Sequence, residues 1–158
     1  MTDAELADFF CKGIETGLLT PEHARQWAEA VIAKEDQPAS AFIDMALNRT
    51  TPALICALRE LTEGAGFPST GPGLLALLLE ADIASTEDLA RCIQTALRVC
   101  RHCAMSEDAC YAFDGLDDAL YLARHDVYGS VPDCRDAFIE ALRQYARPVI
   151  WPAQESPH

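Results

Sequence analysis

The sequence predicts an all-α protein, a single irregular bundle of about seven or eight helices. Apolar residues recur at the helical period of i, i+3, i+4, i+7 in one segment after another. No stretch sustains the apolar–polar alternation of a half-buried strand. Half of the 158 residues are hydrophobic, so a chain of this length can bury a core without disulfides or a metal.

The first half of the chain contains two clear helical stripes. Thr20 and Pro21 are a pair typical of an N-cap and a first helical turn. The stripe that follows is formed by Ala24, Trp27, Ala28, Val31 and Ile32, and the next by Ala53, Leu54, Ala57, Leu58 and Leu61. The segments 64–68 and 71–73 are rich in Gly and Pro and are predicted to stop helices, with a hinge near residues 64–73.

The second half contains three more helices, the first of them capped by Ser85. Their core faces are Leu89, Ile93, Ala96, Leu97 and Cys100; then Phe113, Leu116, Leu120 and Ala123; then Cys134, Phe138, Ala141, Leu142 and Tyr145. Gly129 and Pro132 are predicted to separate the last two. We expect one domain over residues 1–147 and a tail over residues 148–158, in which Trp151 can dock.

The net charge of −13 restricts the class of partner. Acids alternate with large apolar residues at helical spacing, so they coat a packed body instead of forming a disordered tail. Such a surface repels nucleic acid and anionic membranes and attracts basic proteins. The acidic segment 1–8 is unlike a secretory signal, and apolar runs such as 74–79 are too short to span a bilayer, so we expect a cytoplasmic protein.

One group of cysteines resembles a metal or redox site: Cys100 and Cys103 in a CxxC pair, with Cys92 and Cys110 nearby. A structural zinc site requires four ligands, usually as two short pairs, and only one pair is present. Cys92, Cys100 and Cys103 also extend the apolar side of a predicted helix. Packing as buried thiols is therefore the favoured interpretation, and we expect no metal and no cofactor.

The sequence contains no recognisable catalytic constellation, so we predict that the protein is not an enzyme. The histidines are His23, His102, His125 and His158, and no two have the spacing of a zinc-protease helix. His125 is expected to cap the C-terminus of a helix, where a cation is favoured.

Asp114, Asp117 and Asp118 form the densest acidic cluster. If the helix is continuous, Asp114 and Asp118 share one exposed face, whereas Gly115 could break the helix and separate them. The cluster is either a solvated surface or a binding face for basic residues. No His or Glu joins it at ligand spacing, which argues against a metal site.

Two stretches resemble a family of small, acidic, helical bacterial proteins. One runs from Gln26-Trp27-Ala28-Glu29 through Glu35-Asp36-Gln37-Pro38 to Leu47, and the other is Leu116–Ala123, closed by Tyr128-Gly129-Ser130. Some relatives in this family are similar to immunity proteins of polymorphic or contact-dependent toxin systems. The resemblance implies inhibition by binding, with no catalytic residue of the chain's own.

The sequence therefore predicts an immunity protein that neutralises a cognate toxin with a basic surface, such as a secreted nuclease-type effector, through an acidic helical surface. The predicted contact residues are Glu35, Asp36, Asp114, Asp117, Asp118, Tyr121, Asp126 and Tyr128. Two other functions stay open: a helical adaptor or regulator whose acids only maintain solubility, and a thiol- or metal-dependent protein that uses Cys100 and Cys103.

Overall fold

A computed structural model describes residues 1–152 of the chain, and within them it contains eight α-helices and no strand. The helices are α1 (Asp3–Thr16), α2 (Pro21–Lys34), α3 (Ser40–Leu47), α4 (Thr51–Thr62), α5 (Thr70–Leu78), α6 (Thr86–His102), α7 (Glu107–Arg124) and α8 (Val131–Tyr145). The prediction of an all-α chain with seven or eight helices is confirmed.

Serine side chains begin three successive helices in the same way. Ser85 Oγ accepts a hydrogen bond from the Asp88 N–H at 3.1 Å, which confirms the cap predicted for α6. Ser106 at α7 and Ser130 at α8 each accept one from the backbone N–H three residues later. Each bond satisfies an N–H group that has no partner inside the helix, which fixes where the helix begins.

The prediction that Gly71-Pro72-Gly73 stops a helix is wrong, because these residues form the first turn of α5. Proline is well tolerated there, since its missing N–H would have no helical partner. Gly71 is buried, and a Cβ on it would lie 2.7 Å from Met105 Sδ. This glycine is therefore explained by close packing and not by a turn.

The chain divides into two compact units, with the boundary between Thr70 and Gly71, inside the segment 64–73 that was predicted to be a hinge. Unit 1 contains residues 1–70 and, among the described residues, 149–152, while unit 2 contains residues 71–148. Unit 1 thus holds α1 to α4, and unit 2 holds α6 to α8 and nearly all of α5. The organisation as one domain stays a prediction.

The core of unit 1 is an aromatic cluster. Phe10 from α1 stacks on Trp27 from α2 at a ring-centroid distance of 5.2 Å, and Trp27 meets Phe42 from α3 edge-on at 5.1 Å. Trp151 completes the cluster at 5.8 Å from Phe10 and is buried. The predicted docking of Trp151 is confirmed, while residues 153–158 of the predicted tail lie outside the described residues.

The core of unit 2 forms where α6, α7 and α8 pack together. Phe113 of α7 lies edge-on to Phe138 of α8 at 6.1 Å, and both side chains are fully buried, as is Ile93 of α6. Because this packing uses one side of α7, the opposite side of that helix is left to solvent.

Candidate functional site

Helix α7 carries half of the eight predicted contact residues, namely Asp114, Asp117, Asp118 and Tyr121. Its buried side consists of Ala109, Phe113, Leu120 and Ala123. The helix runs without interruption from Glu107 to Arg124, so Gly115 does not break it. Asp114 and Asp118, four residues apart, therefore lie on one exposed face, as the continuous-helix alternative required.

Two tyrosines flank these acids on the same face. Tyr111, Asp114, Asp118 and Tyr121 follow one another at intervals of three, four and three residues, which keeps them on one side of a helix. Tyr111 is 69% exposed and Tyr121 is 62% exposed. We call these four residues the α7 face. Large aromatic side chains so open to solvent are typical of binding surfaces.

The carboxylates on this side of α7 differ in their freedom to meet a partner. Asp117 is half-buried and accepts a hydrogen bond of 2.6 Å from Gln94 Nε2 on α6. Asp114 forms an ion pair with Arg101 at 3.7 Å, with both side chains more than half exposed. Such a surface pair is weak and can be exchanged for another. Asp118 is exposed and projects beside it.

A groove of about 330 Å³ lies next to the α7 face, between α6 and α7. Its lining includes Asp117, Tyr121, Arg124 and His125. The Tyr121 ring lies on the His125 ring at a centroid distance of 4.2 Å. His125 Nδ1 donates to the Tyr121 backbone carbonyl oxygen at 2.8 Å, which confirms the predicted capping role.

The remaining predicted residues fall into two groups. Asp126 and Tyr128 lie in the turn after α7, where Asp126 has a positive φ of 54° and Tyr128 is 79% exposed. Tyr128 also lines a cleft of about 480 Å³ between α7 and α8. Glu35 and Asp36 are exposed at the end of α2, in unit 1. Six of the eight residues thus belong to unit 2, four of them on α7 and two in the turn that follows it.

Sequence reasoning missed Tyr111, although its signal was present. The residue precedes Asp114 by three and Tyr121 by ten, so a helical projection centred on the acids would have included it.

A second polar cleft, in unit 1, was also missed. It measures about 230 Å³, and its lining includes Asp8, Cys11, Lys12 and Arg59. Asp8 is buried and ion-paired with Lys12 at 3.1 Å, and burial raises the pKa of the Cys11 thiol to about 11. The cleft pairs each cation with a carboxylate, since Arg59 contacts Glu15, so it offers no net charge to a ligand.

Of the thiols predicted to be packing residues, Cys100, Cys103 and Cys110 lie near the junction of α6 and α7, and Cys92 lies in the first half of α6. Cys92 and Cys100 are buried, whereas Cys103 and Cys110 are half-buried. Burial, chiefly, raises the pKa of the Cys100 thiol to about 12, which lowers the population of its thiolate at neutral pH. Within residues 1–152, no group of three or more His, Cys, Asp or Glu side chains is arranged to hold a metal ion.

The fold and the site define an acidic, all-α protein with an exposed helix face of tyrosines and carboxylates. None of the helices in the described part of the chain combines the length and the apolar composition needed to cross a membrane. Comparisons with protein-family models, with curated proteins and with solved structures find no match to this chain.

Proposed function

We propose that this protein is a cytoplasmic immunity protein, which neutralises a cognate bacterial toxin by binding it through the α7 face. The observation that carries the proposal is the α7 face itself, with two exposed tyrosines flanking two exposed aspartates on one uninterrupted helix. The partner would be a protein with a basic active-site cleft, such as a secreted nuclease-type effector.

Charge supports a basic protein partner over nucleic acid or a membrane. The whole chain carries −13. The α7 face adds two carboxylates, of which Asp114 pairs with the exposed Arg101. Complementary charge speeds the encounter with a basic cleft and disfavours partners of the wrong sign. A cleft that grips a phosphate backbone presents the Lys and Arg side chains that such carboxylates can pair with.

The tyrosines contribute apolar contact area, which the carboxylates do not provide. A tyrosine presents a large apolar ring with a polar end and loses little conformational entropy on binding, which is why tyrosine is enriched among the residues that dominate binding energy. Tyr111 and Tyr121 lie at the two ends of the carboxylate pair, and the Tyr121 ring packs against the His125 ring. The face therefore combines electrostatic attraction with two apolar anchors.

The other predicted contact residues extend this surface. Asp126 and Tyr128 follow α7 directly and belong to the same unit, which supports our proposal that they contact the partner at the edge of the interface. Glu35 and Asp36 are proposed as a separate contact on unit 1. Asp117 is proposed to support the face through its hydrogen bond with Gln94 more than to meet the partner directly.

The test begins with capture of the partner by the tagged protein from lysate of the cells that encode it. The captured protein is then expressed in a laboratory bacterial host, where it should stop growth, and co-expression of the wild-type chain should restore growth. The D114K/D118K double variant should bind at least about ten-fold more weakly, which corresponds to about 1.4 kcal/mol.

Helix α8 offers a matched control. Asp136 and Glu140 are both exposed, lie four residues apart and belong to the same unit, so D136K/E140K changes the net charge equally. The control should bind as wild type does. Equal binding by both double variants would refute the α7 face as the interface, and a captured protein that does not stop growth would refute the immunity function.

A further inference from the structure

A cleft of about 480 Å³ lies between α7 and α8, next to the turn that joins the two helices. Its walls are Leu116 and Ala119 on α7 and Cys134 and Ala137 on α8, and residues 128–130 of the turn close one end. Two of these four wall residues are alanines, whose short side chains leave room between the helices. The cleft is therefore bordered mainly by apolar atoms.

Two large side chains at the turn are open to solvent beside this cleft. Tyr128, which lines the cleft, is 79% exposed, and Val127 before it is 67% exposed. Exposed apolar side chains grouped next to an apolar cleft are typical of a surface that a partner covers. We call the cleft together with Val127 and Tyr128 the α7–α8 pocket.

The charge at the α7–α8 pocket favours a basic occupant. Among the described residues that line the cleft, Asp133 alone is charged, and it is exposed. Arg135 is directed to the segment before α6, where its guanidinium donates to the carbonyl oxygens of Ile83 and Ala84 at 2.9 and 3.0 Å. A second copy of this chain would bring a further charge of −13, so charge disfavours it as the occupant.

We propose that the α7–α8 pocket receives one bulky apolar side chain of a basic protein partner, and that a Lys or Arg next to this side chain pairs with Asp133. The inference rests on the proposed function for the basic character of the partner, and it adds the pair of side chains by which the partner is selected. The apolar side chain would remove apolar surface from water on both molecules, as anchors in well-packed interface pockets do. The ion pair with Asp133 would fix its orientation and disfavour acidic partners.

The experiment uses the dipeptide acetyl-Trp-Lys-amide as the probe, because it carries an apolar side chain next to a base. Isotope-labelled protein is titrated with the dipeptide, and the backbone amide signals are followed by NMR. The signals of Ala119, Gly129 and Ala137 should shift with one common dissociation constant. Acetyl-Trp-Glu-amide should bind at least about two-fold to five-fold more weakly, because the exposed ion pair with Asp133 is lost.

Four variants test the position of the pocket and the role of its charge. A137W fills the cleft from an exposed position on α8 and should abolish the shifts, whereas Q144W, exposed on the same helix outside the cleft, should bind as wild type does. D133N keeps the backbone N–H that donates to Ser130 Oγ, and it should bind the two dipeptides equally. D136N, at an exposed position one turn further on, should keep the preference for the Lys dipeptide.

Several results would overturn the proposal. Equal binding of the two dipeptides by the wild-type chain would refute selection by charge, and shifts that persist in A137W would refute the position. Shifts of the same signals when the protein alone is concentrated would make a second copy the occupant, and no shift at the solubility limit of the dipeptide would refute the pocket itself. Because the dipeptides replace the partner, each of these results leaves the growth assay and the D114K/D118K variant as separate tests of the proposed function.

Discussion

Asp8 of α1 is only 4% exposed, and its carboxylate binds the last residues of the segment 1–70. Replacing this carboxylate with a neutral side chain should therefore destabilise unit 1. Its Oδ2 accepts hydrogen bonds from Thr70 Oγ1 at 2.5 Å and from the Phe67 N–H at 3.1 Å, and Oδ1 pairs with Lys12 Nζ at 3.1 Å. One carboxylate thus ties α1 to a segment about sixty residues away along the chain.

The magnitude follows from these partners. A hydrogen bond to a charged group contributes about 1.5–3 kcal/mol, and Thr70 is fully buried, so its hydroxyl cannot turn to water. The Lys12 ammonium is partly exposed, so its loss of a partner adds about 0–1 kcal/mol. We expect D8A to lower the free energy of unfolding by about 4 kcal/mol, and D8N, which keeps one carbonyl acceptor, by about 2 kcal/mol.

Urea unfolding followed by tryptophan fluorescence is the appropriate assay. The chain has two tryptophans, Trp27 and Trp151, and both belong to unit 1, so the signal reports the unit that contains Asp8. D44N, at an exposed position on α3, is the matched control and should stay within about 0.5 kcal/mol of wild type. A D8N variant as stable as D44N would refute this account of Asp8.

Three further outcomes are expected. G115A should stabilise the protein by about 0.5–1 kcal/mol, because nothing lies within 4 Å of the added Cβ. G13A should destabilise it by about 1–3 kcal/mol, because the added Cβ would meet Leu19 Cδ1 at 2.5 Å. Thermal melting of the two variants tests both predictions. Under reducing conditions, the free energy of unfolding should fall as the pH rises above about 9. The pKa of the Cys100 thiol is about 12 in the folded protein and 9.0 in the unfolded chain, so the unfolded chain loses the thiol proton first. Urea unfolding should show a smaller fall in C100A. W151A should cost about 3–5 kcal/mol by loss of a buried aromatic side chain, with Trp27 fluorescence as the readout, and a cost near zero would contradict the observed docking.

Local patterns predicted the helices because helical period and capping depend on residues a few positions apart. The caps at Ser85 and the core stripe of α7 are of this kind. Gly71-Pro72-Gly73 was misread because a glycine required by close packing looks, in sequence, like a glycine that ends a helix. Only the approach of Met105, from more than thirty residues away, distinguishes the two.

The residues of the candidate site could likewise be predicted only where the signal is local in sequence. Asp114, Asp118 and Tyr121 were found from charge and spacing, and Tyr111 could have been found in the same way. The role of Asp117 could not, because it depends on Gln94 of another helix. Asp8 was equally hidden, since an acid four residues before a lysine reads as an ordinary surface pair until its partners at residues 67 and 70 are known.

The membership of residues 149–152 in unit 1 has a consequence for biosynthesis. The chain leaves unit 1 after Thr70 and returns to it only after the whole of unit 2. A ribosome makes protein from the N-terminus, so the aromatic cluster around Phe10 and Trp27 is exposed without its last ring until Trp151 has emerged. During that interval unit 2 can already assemble, while the aromatic side chains that Trp151 covers in the finished protein stay open to solvent.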